Sequence, residues 1–238
     1  MKIDVIIAPE YINEDYIKGK NVVVIDMLRA TSVMTTALKN GCKEIIPFLT
    51  VEELMEKATE LGRENCILGG ERNAEKIKGF DLSNSPLEYT SEIVREKTVL
   101  MTTTNGTKAL TKAKNAKEIY IASVLNGKAI AKALAEKNED VIIINAGTDG
   151  EFTMDDFICT GYIIFEIEKI TNKIVLTDIS KTAKYIYENN KGIESFISKA
   201  KHYGRMKELN LFEDIKYCME KDIIDLVPRY KDGVIKAK

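Results

Sequence analysis

The fold is decided by one stretch, Val22-Val-Val-Ile-Asp26-Met-Leu-Arg29-Ala-Thr31-Ser32. Its first four residues are apolar and mostly β-branched, which predicts a buried strand. Thr31 or Ser32 can cap a helix whose apolar positions recur at helical spacing until an Asn-Gly pair ends it. Asp26 and Arg29 therefore lie where a strand gives way to a helix, and that crevice is where open α/β sheets bind ligands.

Further apolar runs alternate with helical patterns along the chain. Strands are predicted at residues 3–7, 44–48, 66–68, 98–102 and 141–145, and late strands at 223–227 and 234–235. This alternation predicts an α/β fold, a three-layer α/β/α sandwich whose sheet is largely parallel or mixed.

The chain length favours a single domain over residues 1–238. A chain of this size buries roughly 70 to 75% of its unfolded surface, which is enough for a substantial core. The segment 114–119 echoes the segment 39–45, so two similar lobes, about 1–97 and 98–238, stay open as a division of that domain.

Composition excludes several classes of protein. The net charge of −2, with both signs interspersed, gives no basic surface for nucleic acid and no polybasic membrane anchor. The first residues, Met-Lys-Ile-Asp-Val, lack the apolar core of a signal peptide, and no apolar run approaches the length of about 18 residues that indicates a membrane span. We therefore expect a cytoplasmic protein. Its four cysteines form no C-x-x-C pair and are expected to be reduced and mostly buried.

Polar loops follow four of the predicted strands. They carry Asp26 with Arg29, Glu71 with Arg72 and Asn84, Thr103 to Thr107, and Asp149 to Asp156. If the strands are parallel neighbours, these loops meet at one edge of the sheet. Carboxylate oxygens suit Mg²⁺, and arginine forks match phosphate or sulfonate oxygens. A magnesium phosphate site is therefore the economical hypothesis.

Familiar phosphate-binding and phosphatase motifs are missing. The chain has no G-x-x-x-x-G-K-[ST] loop and no G-x-G-x-x-G turn opening a helix. Leu28 stands where a haloacid-dehalogenase phosphatase needs a second aspartate. The single histidine, His202, has no R-H-G signature nearby, so a histidine phosphatase is excluded as well.

Taken together, the motifs resemble those of the 2-phosphosulfolactate phosphatase (ComB) family over essentially the whole chain. They are Ile25 to Thr31, Gly70 to Asn73, Gly79 to Asp81, Asn84 to Pro86, Thr103 to Thr107, Ala146 to Gly150 with Phe152 and Asp156, and a tail of His202, Gly204, Leu209, Asp214, Cys218, Asp222 and Val227-Pro228. Two departures are Ala74 and Ser83, each where the family usually has glycine.

The resemblance implies an α/β fold of the family's own and a Mg²⁺-dependent phosphatase. Its substrate would be 2-phospho-3-sulfolactate, and the reaction would be a step toward coenzyme M. Asp26 and Glu71 are the expected magnesium ligands, with Asp156 as a further ligand, and Asp149 or Asp156 as the general base. Arg29 and Arg72 would hold the phosphate and the anionic remainder of the substrate.

Smaller polar groups complete the site that the resemblance implies. Asn84, Asn105 and Thr107 would bind non-bridging oxygens, while His202 is expected to order the C-terminal packing rather than to contact substrate. In this scheme Mg²⁺ and the arginines neutralise charge on the phosphoryl group while a carboxylate positions the attacking water. A rival route makes Asp26 the nucleophile, through an aspartyl-phosphate intermediate.

Two other functions stay open at this point. One is a non-catalytic module that binds a phosphorylated or sulfonated metabolite. The other is a related phosphatase acting on a different small phosphorylated hydroxy acid. The sequence does not determine the oligomeric state, for which a homodimer is only the commonest default.

Overall fold

The computed structural model describes residues 1–237, which form one mixed sheet with helices on both faces. Within these residues the strands are Lys2–Ile6 (β1), Asn21–Ile25 (β2), Glu44–Phe48 (β3), Cys66–Arg72 (β4), Glu75–Lys76 (β5), Thr98–Thr102 (β6), Glu118–Ala122 (β7), Val141–Asn145 (β8), Val175–Leu176 (β9), Arg229–Lys231 (β10) and Val234–Lys236 (β11).

The helices connect and cover these strands. They are Glu14–Ile17 (α1), Ala30–Lys39 (α2), Val51–Leu61 (α3), Ser91–Val94 (α4), Gly106–Lys112 (α5), Gly127–Lys137 (α6), Met154–Ile170 (α7), Asp178–Asn189 (α8), Glu194–Ile197 (α9), Lys201–Glu208 (α10) and Phe212–Cys218 (α11). Short 3-10 turns lie at Pro9–Tyr11, Arg63–Asn65, Pro86–Glu88 and Val124–Asn126.

The sheet has the order β5-β4-β6-β3-β11-β10-β7-β2-β8-β1-β9. Its longer strands pair in parallel, whereas β5 and the C-terminal hairpin β10–β11 pair antiparallel to their neighbours. The predicted three-layer α/β sandwich with a largely parallel or mixed sheet is confirmed. β6 lies between β4 and β3, so a boundary near residue 97 does not divide the sheet into separate blocks.

β2 is buried along its whole length because both of its faces pack on apolar layers. Val22 and Val24 face the core formed with α2 and α5, whereas Val23 and Ile25 face the core formed with α6 and α7. Parallel strands that are covered on both faces have continuous apolar sequences rather than alternating apolar and polar residues. This explains why the opening stretch predicts its strand so clearly.

The sheet curls around α2 and α5. α5 packs against both β2 and β3, although three strands separate them in the sheet, and Val24 of β2 and Ile45 of β3 belong to one apolar core. On the convex side, α3 covers β4, β6 and β3, and α6 to α8 cover the other half of the sheet. This curvature brings the carboxyl ends of distant strands toward each other.

Two local predictions were wrong. Residues 223–227 form no strand, because the Asp222 and Ile224 amides donate to the carbonyls of Val124 and Leu125 instead, and β10 begins only after Pro228. Thr31 and Ser32 do not cap α2, which begins at Ala30. Their hydroxyls donate back to the carbonyls of Asp26 and Met27 and so tighten the turn that carries Asp26.

The four cysteines are free and buried, as predicted. Within residues 1–237, no helix combines the length and apolar character needed to cross a lipid bilayer.

Replacing Ile25, the fully buried residue directly before Asp26, tests the importance of this strand. We expect Ile25→Ala to lower the free energy of unfolding by about 2–5 kcal/mol, because it leaves a cavity between β2 and the core under α7. Urea denaturation gives this value. Ile170→Ala, at the half-exposed end of α7, is the control and should change it by less than about 0.5 kcal/mol. Equal effects from both variants would contradict the central role of β2.

Candidate active site

A cavity of about 710 Å³ lies at the carboxyl ends of the parallel strands. All four polar loops predicted from the sequence contribute to its wall, and the segment from Lys199 to Glu208 contributes the rest. Of the predicted site residues, the cavity brings together Asp26, Arg29, Glu71, Asn84, Asn105 and Asp149. The predicted convergence of the loops is therefore seen in the structure.

Arg72, Thr107 and Asp156 do not line this cavity. The Arg72 guanidinium donates to the carbonyls of Glu71 and Leu49 and to Thr102 Oγ1, so it ties β4 to its surroundings. Thr107 is fully buried and exchanges hydrogen bonds with Thr103 at the start of α5. This placement does not support the predicted contact of Arg72 and Thr107 with substrate.

Asp26 keeps one carboxylate oxygen unengaged. Its Oδ1 accepts a hydrogen bond from the Ala30 amide (3.2 Å), whereas no group of the described residues donates to Oδ2. A Cβ at Gly106 would lie 2.8 Å from Oδ2, so only glycine allows α5 to begin this close to the carboxylate. Burial raises the pKa of Asp26 to about 6; the charge of His202 opposes this rise and that of Glu71 adds to it.

Glu71 joins two loops of the wall. Its Oε1 accepts from the Thr104 amide (2.7 Å), and its Oε2 accepts from the Ala74 amide (2.7 Å) and the Thr104 hydroxyl (3.2 Å). Ala74 has φ of 67°, a left-handed conformation that favours glycine. Alanine at this position therefore has a strained backbone, and the hydrogen bond from its amide to Glu71 helps to stabilise this conformation.

Arg29 is buried and ion-paired with Asp214 of α11. Its Nη2 also donates to the Ala74 carbonyl (3.1 Å), and the second oxygen of Asp214 accepts from the Ser85 hydroxyl (2.6 Å). A guanidinium has five N–H donors, so these two contacts leave others for a ligand. The site's arginine is thus held rigidly by groups distant in sequence.

Three polar atoms at or beside the cavity are buried without a hydrogen-bond partner in the described part of the chain. They are Asn84 Oδ1, Thr148 Oγ1 and Asp155 Oδ1. Buried polar groups are nearly always paired with protein, water or ligand, so we expect ordered water or a ligand to complete these three atoms. Asn105 is already engaged, because its Oδ1 accepts from the Asp149 amide (3.2 Å).

Asp156 acts as a clamp between loops. Its Oδ1 accepts from the Met27 amide (2.8 Å), and its Oδ2 accepts from the Gly147 amide (2.9 Å) and the Thr153 hydroxyl (3.1 Å). Burial, with the charges of Asp155 and Asp26, raises the pKa of Asp156 well above its usual value. These contacts join the loops after β2 and β8, so the geometry favours a structural role over the predicted metal or base role.

His202, which the sequence analysis assigns to C-terminal packing rather than to substrate contact, lines the cavity. It lies on α10, and its Nδ1 is 3.0 Å from Oδ2 of the buried Asp155 at the start of α7. Burial opposes the imidazolium, but the hydrogen bond and charge of Asp155 prevail and raise the pKa of His202. The surrounding sequence is charged and helical, so its pattern indicates only a surface helix.

The cavity is well suited to anions. The first turns of α2, α7 and α10 border it, and helix starts offer free amides and a positive dipole end. Lys199, Lys201 and Arg205 add positive charge, with Arg205 also 3.5 Å from Glu75 on β5. These cations come from a segment distant in sequence from the strand ends.

Comparison with known proteins agrees with this geometry. The sequence model of the 2-phosphosulpholactate phosphatase family matches residues 6–233. The chain belongs to the 2-phosphosulfolactate phosphatase family. It is 58% identical over 237 residues, 99% of this chain, to the full length of a Clostridium botulinum (strain Alaska E43) protein named probable 2-phosphosulfolactate phosphatase.

Other relatives carry the same name. The Clostridium beijerinckii protein is 58% identical over all of both chains, and the Clostridium acetobutylicum protein is 55% identical over 99% of this chain and all of its own. The likeness to this family therefore extends over the whole chain, as its motifs indicate.

No cluster of three histidine, cysteine, aspartate or glutamate side chains forms a ready metal site within residues 1–237. Mg²⁺ is commonly held by only one or two carboxylates, with water and phosphate oxygens completing its octahedron. Asp26, with its unengaged Oδ2, and the neighbouring Glu71 fit that lesser requirement.

The variant Asp156→Ala tests whether the Asp156 carboxylate holds two loops together or binds Mg²⁺. We expect the free energy of unfolding, measured in urea without metal, to fall by about 1–3 kcal/mol for each of the two amides that lose their acceptor. Asp178→Ala, on the exposed first turn of α8, serves as the control and should leave it nearly unchanged. Unchanged stability together with weaker Mg²⁺ binding by the Asp156 variant would instead support the metal role.

Proposed function

We propose that this protein hydrolyses 2-phospho-3-sulfolactate to 3-sulfolactate and phosphate, with Mg²⁺ as its cofactor. The observation that carries the proposal is one cavity holding a buried arginine, three helix starts and a carboxylate with a free oxygen. The name of these relatives, probable 2-phosphosulfolactate phosphatase, supports this choice of substrate.

The charge of the cavity wall suits such a substrate. 2-Phospho-3-sulfolactate carries a phosphate, a sulfonate and a carboxylate, and the wall offers Arg29, Lys199, Lys201 and Arg205 to them. Asp26 and Glu71 on the same wall would repel these anions unless a cation lay between them. A bound divalent ion removes that conflict, which is why we include Mg²⁺ in the proposal.

Asp26 and Glu71 would hold the ion. When bound, Mg²⁺ supplies positive charge that stabilises the phosphoryl oxygens as the bond to the leaving group breaks. The Thr104 and Ala74 amides fix the Glu71 carboxylate, so its position does not depend on the ion.

The chain's own groups would bind and orient the substrate. Arg29, immobilised by Asp214, presents its remaining donors to the phosphate without paying for rotamer ordering at the moment of reaction. The amide of Asn84 hydrogen-bonds to the substrate or to the attacking water. Asp149, on the same wall, takes a proton from that water.

Asp26→Asn tests the proposal because it removes charge but hardly changes volume. We expect phosphate release from 2-phosphosulfolactate to fall by at least about 10²- to 10³-fold. Circular dichroism and the thermal midpoint should stay close to those of the wild type. The assay is run with Mg²⁺ and after chelation, and chelation should abolish wild-type turnover.

Asp178→Asn is the matched control and should retain full activity, since its carboxylate lies in solvent outside the cavity. A near wild-type rate for Asp26→Asn with Mg²⁺ would refute the ligand assignment. Tight binding of 2-phosphosulfolactate by the wild type, without phosphate release from it or from any other small phosphomonoester, would favour a non-catalytic binding module.

A further inference from the structure

The pairing of His202 with Asp155 is more specific than phosphate binding requires. Arginine and lysine side chains already supply positive charge to the cavity. Imidazole differs from them because it gains and loses a proton near neutral pH. Asp155 is 2% exposed and engages Nδ1, an arrangement that fixes the ring and stabilises its protonated form.

The chemistry of the proposed reaction calls for a proton donor. When the phosphorus–oxygen bond of an alkyl phosphate breaks, the electron pair stays on the alkoxide oxygen, which is a poor leaving group without a proton. Lysine and arginine side chains in general hold their protons too tightly for this task, because their reference pKa values are about 10.4 or higher. Efficient general acids have pKa values near the operating pH, as an imidazolium does.

We propose that His202 is the general acid that protonates the leaving C2 oxygen, and that Asp155 is its positioning residue. This inference rests on the proposed function. The bond from water oxygen to phosphorus forms, the bond from phosphorus to the C2 oxygen breaks, and the His202 proton passes to that oxygen. Of the two protons of the water, one stays on the phosphate; Asp149 takes the other and releases it to solvent, from which the imidazole regains a proton, so atoms and charge balance.

Charged groups from several elements act on His202. Asp155 of α7 and Asp26 after β2 favour its protonated form, and Arg29 before α2 opposes it. The other charged residues of the cavity wall are Glu71, Asp149, Glu151, Lys199, Lys201, Arg205 and Glu208. Asp155 contributes the direct hydrogen bond, so its removal should have the clearest effect.

A comparison of leaving groups tests the acid directly. We expect His202→Gln to lower kcat for 2-phosphosulfolactate by about 10²- to 10⁴-fold. With 4-nitrophenyl phosphate, whose phenolate leaves without a proton, the same variant should retain nearly the wild-type rate. Equal losses on both substrates would mean that His202 binds phosphate or only supports the fold, and no loss on 2-phosphosulfolactate would also overturn the proposal.

The single histidine of this chain allows a second test that does not depend on the aryl ester. Its NMR signals report the pKa of His202 without overlap. In the wild type we expect that pKa to lie above the ordinary value and to match the alkaline limb of kcat for 2-phosphosulfolactate. Activity falls there because the acid loses its proton.

Asp155→Asn should lower the NMR pKa of His202 and move the alkaline limb to lower pH by the same amount, with little change in KM. Asp178→Asn, the control, should leave both values unchanged. A limb that stays in place while the pKa of His202 moves would overturn the proposal.

If the proposed phosphatase function is wrong, the same experiments give a different result from the one expected when only the general-acid role is wrong. In that case the wild type releases no phosphate from 2-phosphosulfolactate, although the NMR titration still shows the pairing of His202 with Asp155. An active wild type whose His202→Gln variant is equally active leaves the function intact and removes only the general acid.

Discussion

The site depends on the buried ion pair between Arg29 and Asp214. Burying two charges is costly, and the cost is offset only when the remaining donors and acceptors are also satisfied. Here the Ala74 carbonyl takes a second guanidinium N–H, and the Ser85 hydroxyl donates to the other oxygen of Asp214. One interaction therefore ties the loop after β2 to the β4–β5 hairpin, the 83–86 loop and α11. Since α10 directly precedes α11, the same tie helps to hold His202 over the cavity.

Four carboxylates, Asp26, Glu71, Asp155 and Asp156, lie in this region, and they differ in how far protein groups compensate their charge. Glu71 is bound by amides, Asp155 pairs with His202, and Asp156 is bound by amides and has a pKa well above its usual value. Asp26 and Asp155 each retain an oxygen without a donor in the described residues, but Asp155 is paired with His202, whereas Asp26 has no ion-pair partner there and lines the cavity. Because the other three carboxylates already have partners, Asp26 is the group with the greatest need of a cation. This ranking, rather than the number of acids, is what favours it as the principal magnesium ligand.

The part of the site at the strand ends could be predicted from the sequence, whereas the part contributed by residues 199–208 could not. β2 and the loops carrying Asp26, Glu71 and Asp149 were predictable because strand period and turn residues are local signals. Arg72 and Asp156 were placed with their neighbours because the sequence cannot tell which side chain faces a cavity and which ties loops together. His202 comes to the site through a contact with Asp155, 47 residues away along the chain. No local pattern encodes such a contact.

The curvature of the sheet is the other property that the sequence did not reveal. In a flat sheet with strands about 4.8 Å apart, six spacings would place β2 and β4 about 29 Å apart, yet Asp26 and Glu71 line one cavity. The hairpin β10–β11 lies between the two halves, joined to β3 through one residue pair and to β7 through two. Such sparse pairing constrains the angle between the halves weakly, so the apolar core around α2 and α5 determines it. The packing of α2 and α5 therefore sets the distance between the two proposed magnesium ligands, Asp26 and Glu71. The sparsely paired C-terminal hairpin β10–β11 allows the sheet to adopt the angle that this packing requires.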